Sequence, residues 1–475
     1  MKAMFRSLGL FNYRVWFIGA LISNIGGWMQ STAQDWVVLT ELTNNDATAM
    51  GVTMALQFGP PLVLVSFTGW VADHFDRRKL LMCTQTALGL LAITVGVLLL
   101  THVMTLPLMW MFAGLFGVAN AFDSPARQAF VSDVVSRENA ANAVALNSAS
   151  FNTARLIGPA VGGIMIVLVG TGWMFLINAA TFIAMLVALS MMRKDELEPR
   201  VKATDATRLA DGFRYVARRK DLLVLFVMVF LIGAFGMNFP IFASTMALEF
   251  GRDADGYGAL SSMLAIGSLA GALMAARRDR ARIRVVIVAT GGFGIASIIS
   301  SFMPEYWMYA LVVVFVGFTT VSMLTTANGY VQTTTDAQLR GRVLALYMAV
   351  IMGSTPIGAP IVGWVATAFG PRTAIQVGAV AGLVACAIGA TWLITSGRLH
   401  RSETSRFALT LDETRPIQVV EPKIPEEFSD EIAQTTPITL PRGHDVDDAV
   451  DAAARVERGV ERGVQPGVER GAGRP

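Results

Sequence analysis

Residues 69–79 read Gly-Trp-Val-Ala-Asp-His-Phe-Asp-Arg-Arg-Lys, a polar and charged cluster set between two long apolar runs. The run before it, 48–71, and the run after it, 80–101, are each long enough to cross a hydrocarbon core, which takes about 20 helical residues at 1.5 Å each. A short charged segment joining two such runs predicts a helical hairpin that bends at the membrane surface. The three adjacent cations Arg77, Arg78 and Lys79 predict that this surface is the cytoplasmic one.

The same pattern extends in both directions. Twelve spans are expected, at 15–41, 48–71, 80–101, 104–126, 141–169, 173–192, 222–248, 256–276, 283–302, 306–331, 342–367 and 373–396. Composition agrees: 53% of residues are hydrophobic, 15% charged, and the mean hydropathy is +0.53, whereas a soluble domain carries about 25% charged residues. This argues against a soluble enzyme, a nucleic-acid binder and a disulfide-built secreted domain. A net charge of +3 calls for no polyanionic partner such as nucleic acid. Cys83 and Cys386, far apart in apolar runs, read as packing residues rather than a disulfide or metal site. The apolar run that begins near Val15 is too long for a cleaved signal.

The few charges are unevenly placed. With the N-terminus inside, the inward segments hold 24 Lys and Arg, the outward loops hold Arg252 and Arg372, and Arg155 falls within a span. Both termini are therefore expected in the cytoplasm. Residues 397–475 are polar and Pro-rich, ending in Val-Glu-Arg-Gly repeats at 456–459, 460–463 and 468–471, and read as a disordered tail. The body also repeats itself. Gly69 to Lys79 recurs weakly as Gly271-Ala-Leu-Met-Ala-Ala-Arg-Arg-Asp-Arg280, and Gly158-Pro-Ala-Val-Gly-Gly163 recurs as Ala359-Pro-Ile-Val-Gly-Trp364. The expected organisation is a six-helix bundle over 1–192, a linker over 193–221, a second six-helix bundle over 222–396, and the tail. In the linker Leu209, Phe213 and Val216 share one helical face among basic residues, which predicts a helix lying on the inner surface. Duplicated helix bundles around a central path are a transporter design.

On these residues the chain resembles the major facilitator superfamily, over residues 10–396. Gly69, Ala72, Asp73, Arg77 and Arg78 match that superfamily's signature after its second helix, with His74 and Asp76 departing from it. Asp123-Ser-Pro-Ala-Arg-Gln128, Asn142 to Asn147, Gly158-Pro159 and Leu339-Arg-Gly-Arg-Val343 are similar to the third drug–proton antiporter group, which includes siderophore exporters. The resemblance implies an all-α, twelve-helix fold, alternating access, proton coupling and a place in the bacterial inner membrane. Two departures bear on coupling: 104–122 contains no charge, where drug–proton antiporters carry an Arg in helix 4, and Ala145 and Ala154 stand where their fifth helix has glycines.

Three ionisable residues are candidates for proton or substrate coupling, because an ionisable group in a span must face a cavity or a partner. Asn24, Trp28, Ser31 and Asp35 form one stripe of the first span. Asp35 reads as a proton acceptor or cation contact, or alternatively as a wet acid near the outer interface. Ser148, Asn152, Arg155 and Pro159 form a stripe of the fifth span. Arg155 reads as a charge relay or anion contact, or as half of a structural ion pair with Asp35 or Asp123. Asp123 and Arg127 lie one turn apart and can pair.

Gly69, Asp73, Asp76, Arg77, Arg78 and Arg127 read as a cytoplasmic gate, against the alternative of a turn that only fixes topology. Gly158, Pro159, Gly162 and Gly163 permit close helix approach and a kink. Candidate cavity residues are Asn24, Trp28, Ser31, Asn152, Met237, Asn238, Phe239, Ser322, Thr325 and Thr326. The four histidines stand in separate regions and there is no Gly-Lys dipeptide, so the sequence points to no metal, no cofactor and no P-loop.

The function expected is thus a secondary active exporter of amphiphilic, drug- or siderophore-like small molecules, working as a monomer with protons and membrane lipid as its other partners. An importer of a small metabolite on the same fold is the alternative. A polytopic membrane enzyme lacks a cluster of catalytic side chains, and a channel lacks a filter.

Overall fold

The computed structural model describes residues 5–197, 209–278, 280–396, 399–401 and 409–411. After a short turn at Arg6–Gly9 come α1 (Phe11–Trp36), α2 (Ala47–His74), α3 (Arg77–Leu100), α4 (Leu106–Asp133), α5 (Arg137–Val169) and α6 (Thr171–Met191). A ten-residue helix, α7 (Leu209–Arg218), leads to α8 (Lys220–Leu231), α9 (Phe239–Glu249), α10 (Ala254–Ala276), α11 (Ile283–Ser301), α12 (Tyr306–Thr334), α13 (Arg340–Phe369) and α14 (Pro371–Thr395). Beyond these, the only described residues of the expected tail form two paired three-residue strands, Leu399–Arg401 and Leu409–Leu411. The remainder of that expected tail lies outside the described residues.

Local chemistry sets the boundaries. Asp46 caps α2 by accepting from the Thr48 amide at 2.8 Å, and Asp76 caps α3 by accepting from the amides of Arg78 and Lys79 at 2.9 and 3.2 Å. The turns between α5 and α6 and between α13 and α14 are each a single glycine, Gly170 and Gly370, at φ of 87° and 91°, which a side chain would strain. Two helices end in a π-helical turn, Val37–Glu41 after α1 and Ile232–Gly236 after α8. Such a turn leaves backbone carbonyls to be satisfied by side chains. Thr43 donates to Val38 O at 2.7 Å, and Asn238 donates to Ala234 O.

Eleven of the described helical segments are long and apolar enough to cross a membrane, with α8, its π-turn and α9 counting as one. Twelve were expected from the sequence. The difference is α1, which is 26 residues long but buries Asn12, Ser23, Gln30, Thr32, Gln34 and Asp35. Its apolar character is diluted by the polar face it turns inward.

Helices α1 to α6 pack mainly on one another, as do α8 to α14, and the two groups meet where α2 crosses α13 and α5 crosses α10. The largest apolar core spans both groups at one end of the molecule, where Val38 and Met50 share it with Met246, Tyr257, Ala359 and Val362. A smaller core around Tyr13, Trp16 and Phe130 belongs to the first group at the other end, close to the Arg- and Lys-rich loops. We refer to that second end as the basic end.

The crossings are close because glycines remove the atoms that would hold the backbones apart. Gly51 of α2 faces the backbone of Ala359 and Pro360, and Gly363 of α13 faces that of Ala47. On the other side Gly163 faces Ala254 and Gly258 faces Pro159. Hydrogen bonds reinforce the seal: Thr367 donates to Asp46 at 2.9 Å and accepts from the Thr48 amide at 3.2 Å. Partial burial pushes the Asp46 carboxyl up, but the hydrogen bonds from Thr48 and Thr367 outweigh it and hold Asp46 below the usual carboxylate range.

Helix α7 docks on α13 through Gly212, which lies against Arg342, and Val216 one turn on is buried. Phe213, expected on the same face, is 68% exposed, and the Leu209 side chain lies outside the described residues. Cys83 is exposed rather than packed, and both cysteines are free thiols.

Replacing Gly363 by Leu places a side chain in the backbone of Ala47 and is expected to cost about 1–3 kcal/mol by overpacking. In a Thr48→Cys, Thr367→Cys protein, oxidative cross-linking should be efficient, and adding Gly363→Leu should lower its yield several-fold.

Candidate functional site

A cavity of about 670 Å³ is lined by side chains of the first helix group. Asn24, Trp28, Ser31 and Asn152, expected to line a cavity, all border it. So does Asp123, with Arg127 one turn below. Trp28 of α1 and Phe151 of α5 meet edge to face with ring centres 5.9 Å apart, giving the cavity one aromatic wall.

Amides recur around the rest of the wall, among apolar side chains such as Phe58, Leu88, Phe116 and Phe182. Gln34 donates to Gln57 at 3.0 Å, joining α1 to α2, and Asn178 donates to Gln30 at 2.7 Å, joining α6 to α1. Asn120 on α4 and Asn147 on α5 also border the space. Of these six, only Asn147 was marked in the sequence, as the end of the motif Asn142 to Asn147, and none was expected to line the cavity. The available signal was the presence of carboxamides inside runs otherwise apolar, where each must find a partner or a wet space.

Asp123 is 4% exposed, and both its oxygens accept hydrogen bonds. Its Oδ1 accepts from Thr84 and Gln85, both at 2.7 Å, and its Oδ2 pairs with Arg127 Nε at 3.0 Å. Arg127 also reaches Asn24 at 3.5 Å. The pair is neutral overall and braces α3, α4 and α1 around the cavity.

Asp35 and Arg155 lie elsewhere, at the contact between the two groups. Asp35 is 5% exposed and accepts a 2.8 Å hydrogen bond from Tyr257 of α10. Trp36 stacks on the same tyrosine, with ring centres 6.3 Å apart. Arg155 donates to Ser268 of α10 at 3.4 Å. Neither acid considered as its partner pairs with it: Asp35 is taken by Tyr257 and Asp123 by Arg127. Among the described residues no carboxylate lies within ion-pair distance of Arg155. Tyr257 was not found from sequence, because a tyrosine in a span carries no mark of the acid it will meet.

The turn at 69–79 becomes a bracket between helices. Arg77 Nη1 pairs with Asp133 at the end of α4 at 2.7 Å, and Nη2 reaches Asp73 at 3.4 Å. Arg78 donates to the carbonyls of Leu189 and Ser190 at 2.7 and 3.2 Å, capping the C-terminus of α6 with a cation. Asp76 caps α3, and His74 stacks on Trp70 at 4.6 Å. Gly69 has open space around it, so close packing does not explain this glycine.

The glycine motif of α5 uses two faces. Gly158 and Gly162 lie on Trp28 and Met29 of α1, while Pro159 and Gly163 meet α10. Six expected cavity residues do not border the cavity. Ser322 and Thr326 are turned into the α10–α12 packing, where Ser322 donates to Gly271 O at 3.4 Å and Thr326 accepts from Arg278 at 3.4 Å. Thr325 is exposed, Asn238 is fully buried, and Met237 and Phe239 flank it at the break before α9. Helical periodicity assigns a face to these residues but not which neighbour that face meets. No cluster of metal-ligating side chains occurs among the described residues.

The family described as transmembrane secretion effector matches residues 4–415. A staphyloferrin A transporter of Staphylococcus aureus is 25% identical, covering 75% of this chain and 90% of its own. The multidrug efflux pump Tap of Mycolicibacterium fortuitum is 26% identical, covering 74% and 88%. A solved bacterial homologue of the human lysosomal transporter Spinster, inward-facing and unoccupied, superposes with a TM-score of 0.63 at 13% identity, covering 80% of this chain and 96% of its own.

Removing one member of a buried pair strands the other's charge, at a cost of about 3–5 kcal/mol. Arg127 keeps some access to the cavity, so Asp123→Ala is expected to cost about 3 kcal/mol. The purified protein should melt several degrees lower, and adding Arg127→Met should restore most of the loss.

Proposed function

Because the chain belongs to the transmembrane secretion effector family of the major facilitator superfamily, which comprises transporters and not enzymes, we propose that it is a secondary active exporter of amphiphilic small molecules, driven by the proton gradient. The observation that carries this reading is the shape of the cavity. It runs from Gln34 and Gln57 down to Arg127, Gln128 and Val131 near the basic end. At the other end the glycine crossings of α2 with α13 and of α5 with α10 close the molecule. With α1 counted as a span despite its polar face, there are twelve, arranged as two related six-helix bundles with both termini and the basic end in the cytoplasm. The conformation is then inward-open, ready to load from the cell interior. The efflux activity in the name of the Mycolicibacterium fortuitum relative is consistent with that direction.

Alternating access needs the closed end to release. The hydrogen bonds joining the helix groups there include Tyr257 to Asp35, Thr367 to Asp46, and Ser262 to Leu156 O at 2.8 Å. Asp35 is the coupling acid in this reading. Ionised, it is a strong acceptor for Tyr257 and holds α1 to α10; protonated, it is a weaker one and the latch loosens. Arg155 and Asp123 complete the coupling set, Arg155 as the base between α5 and α10 and Asp123 as the anchor of Arg127. Gly69, Asp73, Asp76, Arg77, Arg78 and Arg127 form the cytoplasmic gate, which is open in this conformation. Movement of one charge down 100 mV supplies about 2.3 kcal/mol, and each tenfold concentration ratio needs about 1.4 kcal/mol. One proton therefore supports more than a tenfold gradient. The working unit is a monomer in the cell membrane, with lipid around it.

Everted membrane vesicles with an imposed pH gradient test direction and coupling together. Accumulation of a fluorescent efflux substrate should be independent of ATP and collapse with a protonophore. Asp35→Asn should reduce it at least tenfold and flatten its pH dependence. Unchanged transport in Asp35→Asn removes that residue from coupling, and uptake only in right-side-out vesicles reverses the direction.

A further inference from the structure

We propose that the cavity takes an uncharged, oxygen-rich small molecule with one apolar or aromatic face, a polyhydroxyl or polyamide compound, rather than a lipophilic cation or a carboxylate. This rests on reading the cavity as the substrate site of the exporter. It follows from what lines the space: nine Asn and Gln side chains, one carboxylate and one guanidinium, set among apolar side chains that include Phe58, Leu88, Phe116 and Phe182.

A lipophilic cation needs a carboxylate with free lone pairs at the wall of a low-dielectric site. Asp123 has a single lone pair of Oδ2 left, since Thr84 and Gln85 donate to Oδ1 and Arg127 to Oδ2, and its charge is already compensated by Arg127. A carboxylate ligand needs an uncompensated cation. Arg127 is compensated by Asp123, and the wall as a whole is electrically neutral. Either ion would lose its hydration without gaining a counter-charge.

Carboxamides make the opposite offer. Each carries two N–H donors and one carbonyl acceptor. Asn120 and Asn147 make no hydrogen bond within the protein among the described residues. In the Gln34–Gln57 pair the Gln34 amine donates to the Gln57 carbonyl, and among the described residues no hydrogen bond uses the Gln34 carbonyl or the Gln57 amine. Donors and acceptors interleaved at this density match hydroxyls and amides, which both donate and accept. The aromatic wall of Trp28 and Phe151 then receives a flat apolar face, as sugar and aromatic rings present.

The test uses the full chain in lipid nanodiscs and three probes of comparable reach. 4-Nitrophenyl β-maltoside is neutral and polyhydroxylated, tetraphenylphosphonium is a lipophilic cation, and citrate is a carboxylate. Calorimetric titration should show the maltoside binding at least tenfold more tightly than either ion. Asn120→Ala and Asn147→Ala, which break no hydrogen bond within the protein, should keep the wild-type melting temperature and each weaken the maltoside about fivefold. Tighter binding of either ion, no maltoside binding at millimolar concentration, or unchanged affinity in both variants overturns the proposal. Intact maltoside binding without protonophore-sensitive accumulation in everted vesicles instead counts against the exporter reading and leaves the substrate class standing.

Discussion

Two helices in a membrane gain little from hydrophobic association, because lipid is as apolar as the side chains they would bury. What can hold them is close backbone approach, and a glycine at the crossing is what permits it. Gly51, Gly163, Gly258 and Gly363 sit where α2 meets α13 and α5 meets α10, each facing bare backbone of the partner helix. The rest of the molecule follows from that seal being at one end. The shared apolar core lies beside it, the Asp35–Tyr257 hydrogen bond lies within it, and the space between α1, α2, α4 and α5 opens away from it. A chain with the same helices and bulkier residues at these four places would have no reason to close at this end.

The basic end is held differently. Among the described residues the core there, around Tyr13, Trp16 and Phe130, belongs to the first group, whose helices are also tied by charged side chains reaching backbone and carboxylate across loops. Arg77 joins α3 to the end of α4, and Arg78 joins it to the end of α6. These contacts stay within one helix group. Such an arrangement ties the first group together without crossing to the second.

Most of the architecture was legible in the amino-acid sequence, because hydropathy and charge report directly on where chain can cross lipid. The exception is instructive: α1 fails the hydropathy criterion that the other spans meet, since its inward stripe carries Gln30, Gln34 and Asp35. Gln30 and Gln34 border the cavity and Asp35 meets Tyr257 of α10, so polarity that obscures a helix marks its importance. Partners were less legible than positions. Helical spacing placed Asp123 one turn from Arg127, and the two pair. It could not place Tyr257 against Asp35 across 222 residues of chain, nor Ser268 beside Arg155. The amide pairs Gln34–Gln57 and Asn178–Gln30 escaped for the same reason: each joins two helices whose adjacency the one-dimensional pattern does not encode. The face of a residue is a local property, and its neighbour is a property of the whole packing.

The π-helical turns at Val37–Glu41 and Ile232–Gly236 have a mechanical meaning. Each fits one residue more into a turn than an α-helix would, so everything beyond it is rotated by about 100° relative to a continuous α-helix. The side chains before Val37 and those after Glu41 therefore belong to different columns, as do those on either side of the break before α9. A helix with such a phase slip can pass its register along by one residue without unwinding. The hydroxyl of Thr43 and the amide of Asn238 are already in place to receive the carbonyls that the slip exposes. Each helix group thus begins with a rod that contains a twisting joint, at the level where the two groups touch.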